Sequence, residues 1–210
     1  MSDPRAALVA AARAMAAAGL NSGTAGNLSL RCPEGFYITP TGMAYDRLEP
    51  DDIPCMGLDG GARGRRQPSS EWRFHRDLYA ARPEAGAVLH AHSPHATSLA
   101  CLRRDIPPFH YMIARFGGAT VRCAAYATFG TQALSDAALA ALEGRNACLL
   151  ANHGLLAFGR DLDHALALAV ELEELCGQYW RACLLGEPVL LSAQEMATVL
   201  EKFSGYGQQG

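Results

Sequence analysis

The stretch Val88-Leu89-His90-Ala91-His92 decides how this chain is read. On a strand, side chains alternate between faces, so His90 and His92 share one face with Cα atoms roughly 6.5 Å apart. On a helix, positions i and i+2 would turn away from each other. The apolar run Ala87-Val88-Leu89 reads as a buried strand, and Pro94 then opens a helix expected over residues 94–103. Upstream, residues 27–31 and 36–39 read as short strands around the turn Pro33-Glu34-Gly35, and residues 53–58 as a third strand. Downstream, residues 120–124, 147–152 and 155–158 read as strands, the last two around His153-Gly154. Helices are expected over residues 4–18, from a Ser69 or Ser70 cap to 81, over 131–142, and over 161–185. Strands in adjacent pairs with helices between the groups predict an α/β fold of the α+β type: a mainly antiparallel sheet with helices on its faces.

The 210 residues are half hydrophobic and 19% charged, which excludes a disordered or fibrous chain and predicts one domain over residues 1–210. A net charge of -3 argues against nucleic acid as a partner. Small anionic substrates stay open, because a local pocket can be positive on an acidic protein. Arg5 and Arg13 interrupt the apolar N-terminus, so it reads as a capped amphipathic helix rather than a signal peptide, and no run is long enough to span a membrane. The seven cysteines are scattered without a C-x-x-C pair, as expected of small apolar fillers in a cytoplasmic protein.

His90 and His92 suit one metal ion, and His153, at the end of another apolar strand, offers a third imidazole. Three histidines with an open position make a catalytic metal site, although two histidines on a strand are also compatible with a structural role. Gly154 is expected to let the backbone turn sharply beside His153. His75, His95, His110 and His164 read as structural, with His95 near enough to the pair to support it. The arginines of residues 61–68 read as solvated surface. Three segments carry hydroxyls and free N–H groups suited to an anion: residues 23–27, residues 39–42, and Pro68-Ser69-Ser70 at a helix start. Taken singly each is a turn or a cap, and spacing does not show that they converge.

In chain order, GTAGNLSLR (23–31), TPTGMAYDRL (39–48), PSSEWRFH (68–75), AVLHAHSPH (87–95), HYMIARFGG (110–118), YATFGTQ (126–132) and NHGLLAFG (152–159) closely resemble the class II aldolase/adducin family. Within it they are most similar to the L-fuculose-phosphate aldolases, over residues 20–207. The resemblance implies an antiparallel sheet sandwiched between helix layers, and a homotetramer with active sites at subunit interfaces. It implies His90, His92 and His153 as ligands of a divalent ion, Zn2+ or else Co2+ or Mn2+. Glu71 becomes fourth ligand without substrate and acid/base with it. Asn27, Thr41, Gly42, Ser69 and Ser70 match phosphate-binding positions. Tyr111 matches a proton donor reaching in from a neighbouring subunit, Tyr206 a tyrosine of the C-terminal tail, and Phe129 an aromatic on the aldehyde side.

The implied reaction is reversible cleavage of a ketose 1-phosphate, L-fuculose 1-phosphate-like, to dihydroxyacetone phosphate and an aldehyde. Lys202 is the sole lysine, which argues against Schiff-base chemistry. A 5-deoxy- or 5-methylthio-pentulose 1-phosphate is an alternative substrate, because Arg115-Phe116 stands where fuculose-phosphate aldolases carry small residues. A phosphopentulose 4-epimerase, which usually carries Asp at the Glu71 position, and a methylthioribulose-phosphate dehydratase are further alternatives. A non-enzymatic, adducin-like assembly domain is disfavoured because the three histidines persist.

Overall fold

The structure, a computed structural model, describes residues 3–204. Eight strands form one sheet: β1 (Asn27–Cys32), β2 (Gly35–Ile38), β3 (Cys55–Met56), β4 (Ala62–Arg63), β5 (Ala87–Ala91), β6 (Cys123–Ala124), β7 (Ala147–Leu150) and β8 (Gly154–Gly159). Their order is β4-β3-β2-β1-β5-β8-β7-β6, antiparallel throughout except for the parallel pair β6–β7. The helices are α1 (Pro4–Ala17), α2 (Trp72–Ala81), α3 (Pro94–Ala100), α4 (Gln132–Ala141), α5 (Leu162–Leu185) and α6 (Ala193–Ser204).

Period-2 alternation divides the sheet between two apolar layers. Leu28, Ala87, Leu89, Ala91, Leu149 and Leu155 join the core under α1, α3 and α5. Val88, Cys148, Leu150, Leu156 and Phe158 join Phe74, Leu78 and Leu134 of α2 and α4 on the opposite face. Truncating one of these buried leucines to alanine costs about 2–5 kcal/mol. His90, one step beyond Leu89, therefore points into the α2 layer, where Phe74 meets its ring edge-on at 5.5 Å.

Side chains start most of the helices. Asp3 caps α1, Thr131 caps α4 and Asp161 caps α5, each accepting from a backbone N–H of the first turn. The expected strand over 53–58 shortens to β3, because Pro50-Asp51-Asp52 forms a 3-10 turn ahead of it. Part of the expected loop over 61–68 pairs with β3 as β4. Two arginines of that loop are not solvated bystanders: Arg65 and Arg66 both bond buried Asp52, at 2.7 and 2.9 Å. The 3-10 helix Tyr111–Phe116 and α6 were not anticipated either. The latter starts at a capping box, with Ser192 N–H donating to Glu195 at 2.7 Å and Glu195 N–H to Ser192 at 3.2 Å.

Candidate metal centre

Strand β5 ends at Ala91, which leaves His92 one residue beyond it and on the same side as His90. In the β7–β8 turn, the left-handed backbone is at Asn152 (φ 54°), not at Gly154. The role of Gly154 is close approach, since a Cβ there would lie 2.2 Å from Ala91 O and 3.2 Å from the His92 ring. The turn thus presses His153 against the end of β5. The three imidazole centroids stand 4.6–4.8 Å apart, each pair of rings tilted by 69–72°. Glu71, just ahead of α2, completes the group: its Oε2 is 3.3 Å from His90 Nε2 and its Oε1 3.3 Å from His153 Nε2.

The donor chemistry suits a cation. Leu155 O lies 2.8 Å from His90 Nδ1, so Nδ1 carries the proton and Nε2 turns a lone pair toward His92 Nε2, 2.9 Å away. Burial, then the charge of His92, hold the His90 pKa down to about 3. Burial, then His90, hold that of His153 down to about 4, and burial also lowers His92. At neutral pH three uncharged imidazoles face a carboxylate whose Oε1 is buried without a hydrogen-bond partner among the described residues. All four ligand atoms lie within 4.8 Å of one another. The 3.3 Å separations match the edge of a tetrahedron with ligand bonds of about 2.0–2.1 Å. The residues present fit a divalent metal ion.

Several supports were not read as such from the sequence. Asn21 Oδ1 accepts from His92 N–H at 3.0 Å, and Gly26 packs on Asn21 and on His90 O. Glu173 of α5 accepts from Ser93 Oγ (2.6 Å), His95 N–H (2.8 Å), His95 Nδ1 (2.8 Å) and Ala96 N–H (2.9 Å). It therefore caps α3 from another helix and pins the chain leaving His92. Glu173 stands 78 residues from His95 in the chain, so no local cap signal in the sequence announces it.

The hydroxyl-bearing segments do come together. Thr41 N–H donates to Gln67 O (3.1 Å) and Ser69 N–H to Thr39 O (3.0 Å), which sets residues 39–42 beside 67–70 at the start of α2. Thr41, Gly42 and Ser70 are exposed there, and Gly42 takes the left-handed backbone of the turn (φ 65°). Ser69 is buried, its Oγ accepting from Glu71 N–H at 3.3 Å. Asn27 is buried too, and its amide donates to Glu71 Oε2 at 3.0 Å. A cavity of about 290 Å³ beside these segments is lined by Ser70, Glu71, His92, Tyr126, Phe129 and His153, among others. Phe129 is 66% exposed and forms part of that wall.

Tyr111 is not brought to this cavity. It is half exposed on its 3-10 helix and lines a separate cavity of about 900 Å³ with Arg115, Arg160 and His164. Arg115 pairs with Glu171 at 3.1 Å and Phe116 is wholly buried in the core, so neither faces the metal centre of its own chain. Tyr206 lies outside the described residues. Among the described residues, no helix is long and apolar enough to cross a membrane.

Comparison with known proteins agrees with this geometry. Residues 6–180 match the model of the class II aldolase and adducin N-terminal domain. The 5-methylthioribulose-1-phosphate/5-deoxyribulose-1-phosphate aldolase of Rhodospirillum rubrum is 57% identical over 200 residues, covering 95% of this chain and 90% of the relative. The L-fuculose phosphate aldolase of Escherichia coli K12 is 48% identical over 190 residues, covering 90% and 88%. A solved structure of an L-fuculose 1-phosphate aldolase superposes with a TM-score of 0.92 at 42% identity, covering 97% of both chains. With three histidines and a carboxylate converging at the ends of β5 and β7 in this fold, the chain belongs to the class II aldolase family.

Proposed function

We propose that the chain cleaves a ketose 1-phosphate reversibly to dihydroxyacetone phosphate and an aldehyde, acting as one domain over residues 1–210. The observation that carries this reading is the Glu71–His90–His92–His153 group, set beside a cavity that opens between Ser70 and Phe129. A divalent ion held by those four residues supplies Lewis-acid polarisation of the substrate's carbonyl and hydroxyl oxygens. Zn2+ suits the mixed nitrogen and oxygen donors, and Co2+ or Mn2+ is accepted by the same set.

In the synthetic direction Glu71 takes a proton from the hydroxymethyl carbon of dihydroxyacetone phosphate. Its position against the metal group and its hydrogen bond from Asn27 support that role. Tyr111 of a neighbouring subunit donates its phenolic proton to the aldehyde oxygen as the carbon–carbon bond forms. Cleavage runs the same transfers in reverse. Thr41, Gly42, Ser69 and Ser70, with Asn27 behind them, hold the phosphate through hydroxyl and N–H groups, and this remote binding fixes the sugar for reaction. Phe129 bounds the aldehyde side, and the family resemblance assigns Tyr206 to the same side.

A homotetramer with its sites between subunits is supported by the separation of Tyr111 from the metal group. Leu184, Leu185 and Val189, respectively 69%, 92% and 92% exposed, add an apolar face that assembly would cover. The scattered, odd number of cysteines supports a cytoplasmic setting.

For the substrate, L-fuculose 1-phosphate is one reading and a 5-deoxy- or 5-methylthio-pentulose 1-phosphate the other. The second is favoured by the 57% identity to the Rhodospirillum enzyme against 48% to the fuculose phosphate aldolase. The apolar wall of Phe129 and Ala127 also suits an aldehyde with an apolar tail. The test is a panel of these three sugar phosphates with both products quantified. Release of dihydroxyacetone phosphate and aldehyde in equal amounts is expected, and release from none of the three would overturn the proposal.

A further inference from the structure

A directed chain of hydrogen bonds runs from Glu71 and Asn27 away behind the metal centre, through His75, Ser29 and Tyr79, to which the proposed chemistry assigns no task. Strand β1 places Asn27, Ser29 and Arg31 on one face at period 2, and α2 with the residue before it presents Glu71, His75 and Tyr79 at period 4. The two rows interlock. Asn27 Nδ2 meets Glu71 Oε2 at 3.0 Å, and Asn27 Oδ1 meets His75 Nε2 at 2.6 Å. His75 Nδ1 meets Ser29 Oγ at 2.7 Å, and Ser29 Oγ meets Tyr79 OH at 2.8 Å. Arg31 closes the row by donating to the carbonyls of Tyr79 and Arg82, both at 2.9 Å. Asn27, Ser29, His75 and Tyr79 are at most 2% exposed, so no solvent competes for these bonds.

Chemistry fixes the direction of every bond from the carboxylate end. Ionised Glu71 only accepts, so the Asn27 amide must turn its NH2 toward it and its carbonyl toward His75. That carbonyl requires a donor, which makes His75 the Nε2–H tautomer. The bare Nδ1 then accepts a hydrogen bond from the Ser29 hydroxyl, and Ser29 accepts from the Tyr79 hydroxyl. Burial lowers the His75 pKa well below its usual range, in keeping with a neutral ring. Phe36 and Phe74 lie near-parallel to that ring, with centroids 6.5 and 4.8 Å away and interplanar angles of 14° and 29°.

We infer that His75 is a positioning residue: by donating from Nε2 it locks the Asn27 amide in the one orientation that hydrogen-bonds Glu71 and aims its carboxylate at the three histidines. With the lock removed, Asn27 can flip and present its carbonyl to Glu71, where two acceptors repel. Glu71 then loses its aim both as a ligand and as a base. The inference rests on the aldolase reading for its catalytic consequence only.

The test compares His75→Phe, which keeps the stacked ring without its nitrogens, with His75→Gln, whose side-chain amide can still donate to Asn27. In His75→Phe, kcat is expected to fall about 10–100-fold and Zn2+ affinity, by competition with a chromogenic chelator, to weaken by about 10-fold or more. At saturating Zn2+, KM for the sugar phosphate should stay within about threefold, because Thr41, Gly42, Ser69 and Ser70 keep their places, and His75→Gln should recover most of both losses. Equal impairment of the two variants, or wild-type kcat and Zn2+ affinity in His75→Phe, would overturn the inference. Nitrogen-15 NMR of the wild-type histidines gives a reading independent of activity. A neutral Nε2–H ring at His75 is expected, and an Nδ1–H ring would break the chain at its centre. If wild type cleaves no ketose phosphate, the functional reading fails, while the tautomer and Zn2+ affinity still decide the role of His75.

Discussion

The metal centre and the Tyr111 region are built to opposite specifications. Around His90 every support is internal: Leu155 O fixes its tautomer, Asn21 and Glu173 fix the chain around His92, and Asn27 holds Glu71. Tyr111 stands half exposed on a short 3-10 helix, away from the metal-centre cavity. The metal group is complete within a chain, and the tyrosine proposed as proton donor is presented outward. On the proposed function, the difference teaches where a subunit boundary would fall: between the metal group and the tyrosine to which the aldehyde-side proton transfer is assigned.

The sharpest way to break this comparison is at the metal. His90→Ala, or exhaustive chelation, should lower cleavage on the order of 10³-fold, the equivalent of several kcal/mol of lost charge stabilisation, with Zn2+ restoring the chelated wild type. Undiminished turnover in metal-free protein would refute the metal half outright. Glu71→Gln keeps the volume and removes the base, so a loss of about 10²–10⁴-fold in kcat is expected, checked by steady-state kinetics alongside metal content. The Tyr111 half is tested by mixing. Tyr111→Phe alone should lose about 10²-fold as a missing general acid. Unfolded and refolded together with His90→Ala protein, it should regain activity, because some interfaces then pair an intact metal centre with an intact tyrosine. No regain would place Tyr111 in service of its own subunit and erase the boundary.

How legible this was depends on the distance over which each signal acts. The histidine pair and the antiparallel character of the sheet follow from local period and turn chemistry, and the structure keeps them. The expected Ser69 or Ser70 cap of α2 does not form: the helix starts at Trp72 with Glu71 as its N-cap and no side-chain cap bond, because the Ser69 hydroxyl is spent on Glu71 N–H. Convergence of residues 39–42 with 67–70 rests on backbone bonds such as Thr41 N–H to Gln67 O, about which spacing along the chain is silent. Glu173 was invisible for a similar reason: a carboxylate next to Leu172 on an amphipathic helix looks like a rim residue until α3 is laid across it. His75 looked structural because its two bonds go to β1, more than forty residues back. Strand β3 was overestimated because Pro54 has no N–H to give the ladder and the turn closed by Gly60 N–H to Gly57 O ends the pairing.

A smaller effect sharpens the support side. Glu173→Gln keeps the shape but removes the charge that accepts from two backbone N–H groups, a hydroxyl and an imidazole. A loss of about 1–3 kcal/mol of stability is expected, read as a lower denaturant midpoint. Bound Zn2+ should be retained more weakly at unchanged Tyr111 function in the mixing assay. An unchanged midpoint would mean that α3 is held by packing alone.

The smallest effect concerns the loop that delivers Ser69 and Ser70. Asp52 is buried, caps its own turn through Glu49 N–H at 3.1 Å, and accepts from Arg65 and Arg66. The two guanidinium groups hold its pKa down to about 2, from an ordinary 3.8. Since the folded pKa lies below the unfolded one, the pairing stabilises fully above the unfolded value and is lost as pH falls from about 4 toward 2. Both arginines are about half exposed (54% and 50%), so solvent screens them and the gain is at most about 1 kcal/mol. Asp52→Asn should therefore melt about 2–4 °C below wild type at pH 6–7, with the gap closing below pH 4. A gap that stays undiminished down to about pH 2 would assign the loop's anchorage to packing rather than charge. It would also extend to the side proposed to hold phosphate the pattern seen at His90, of support by buried contacts within one chain.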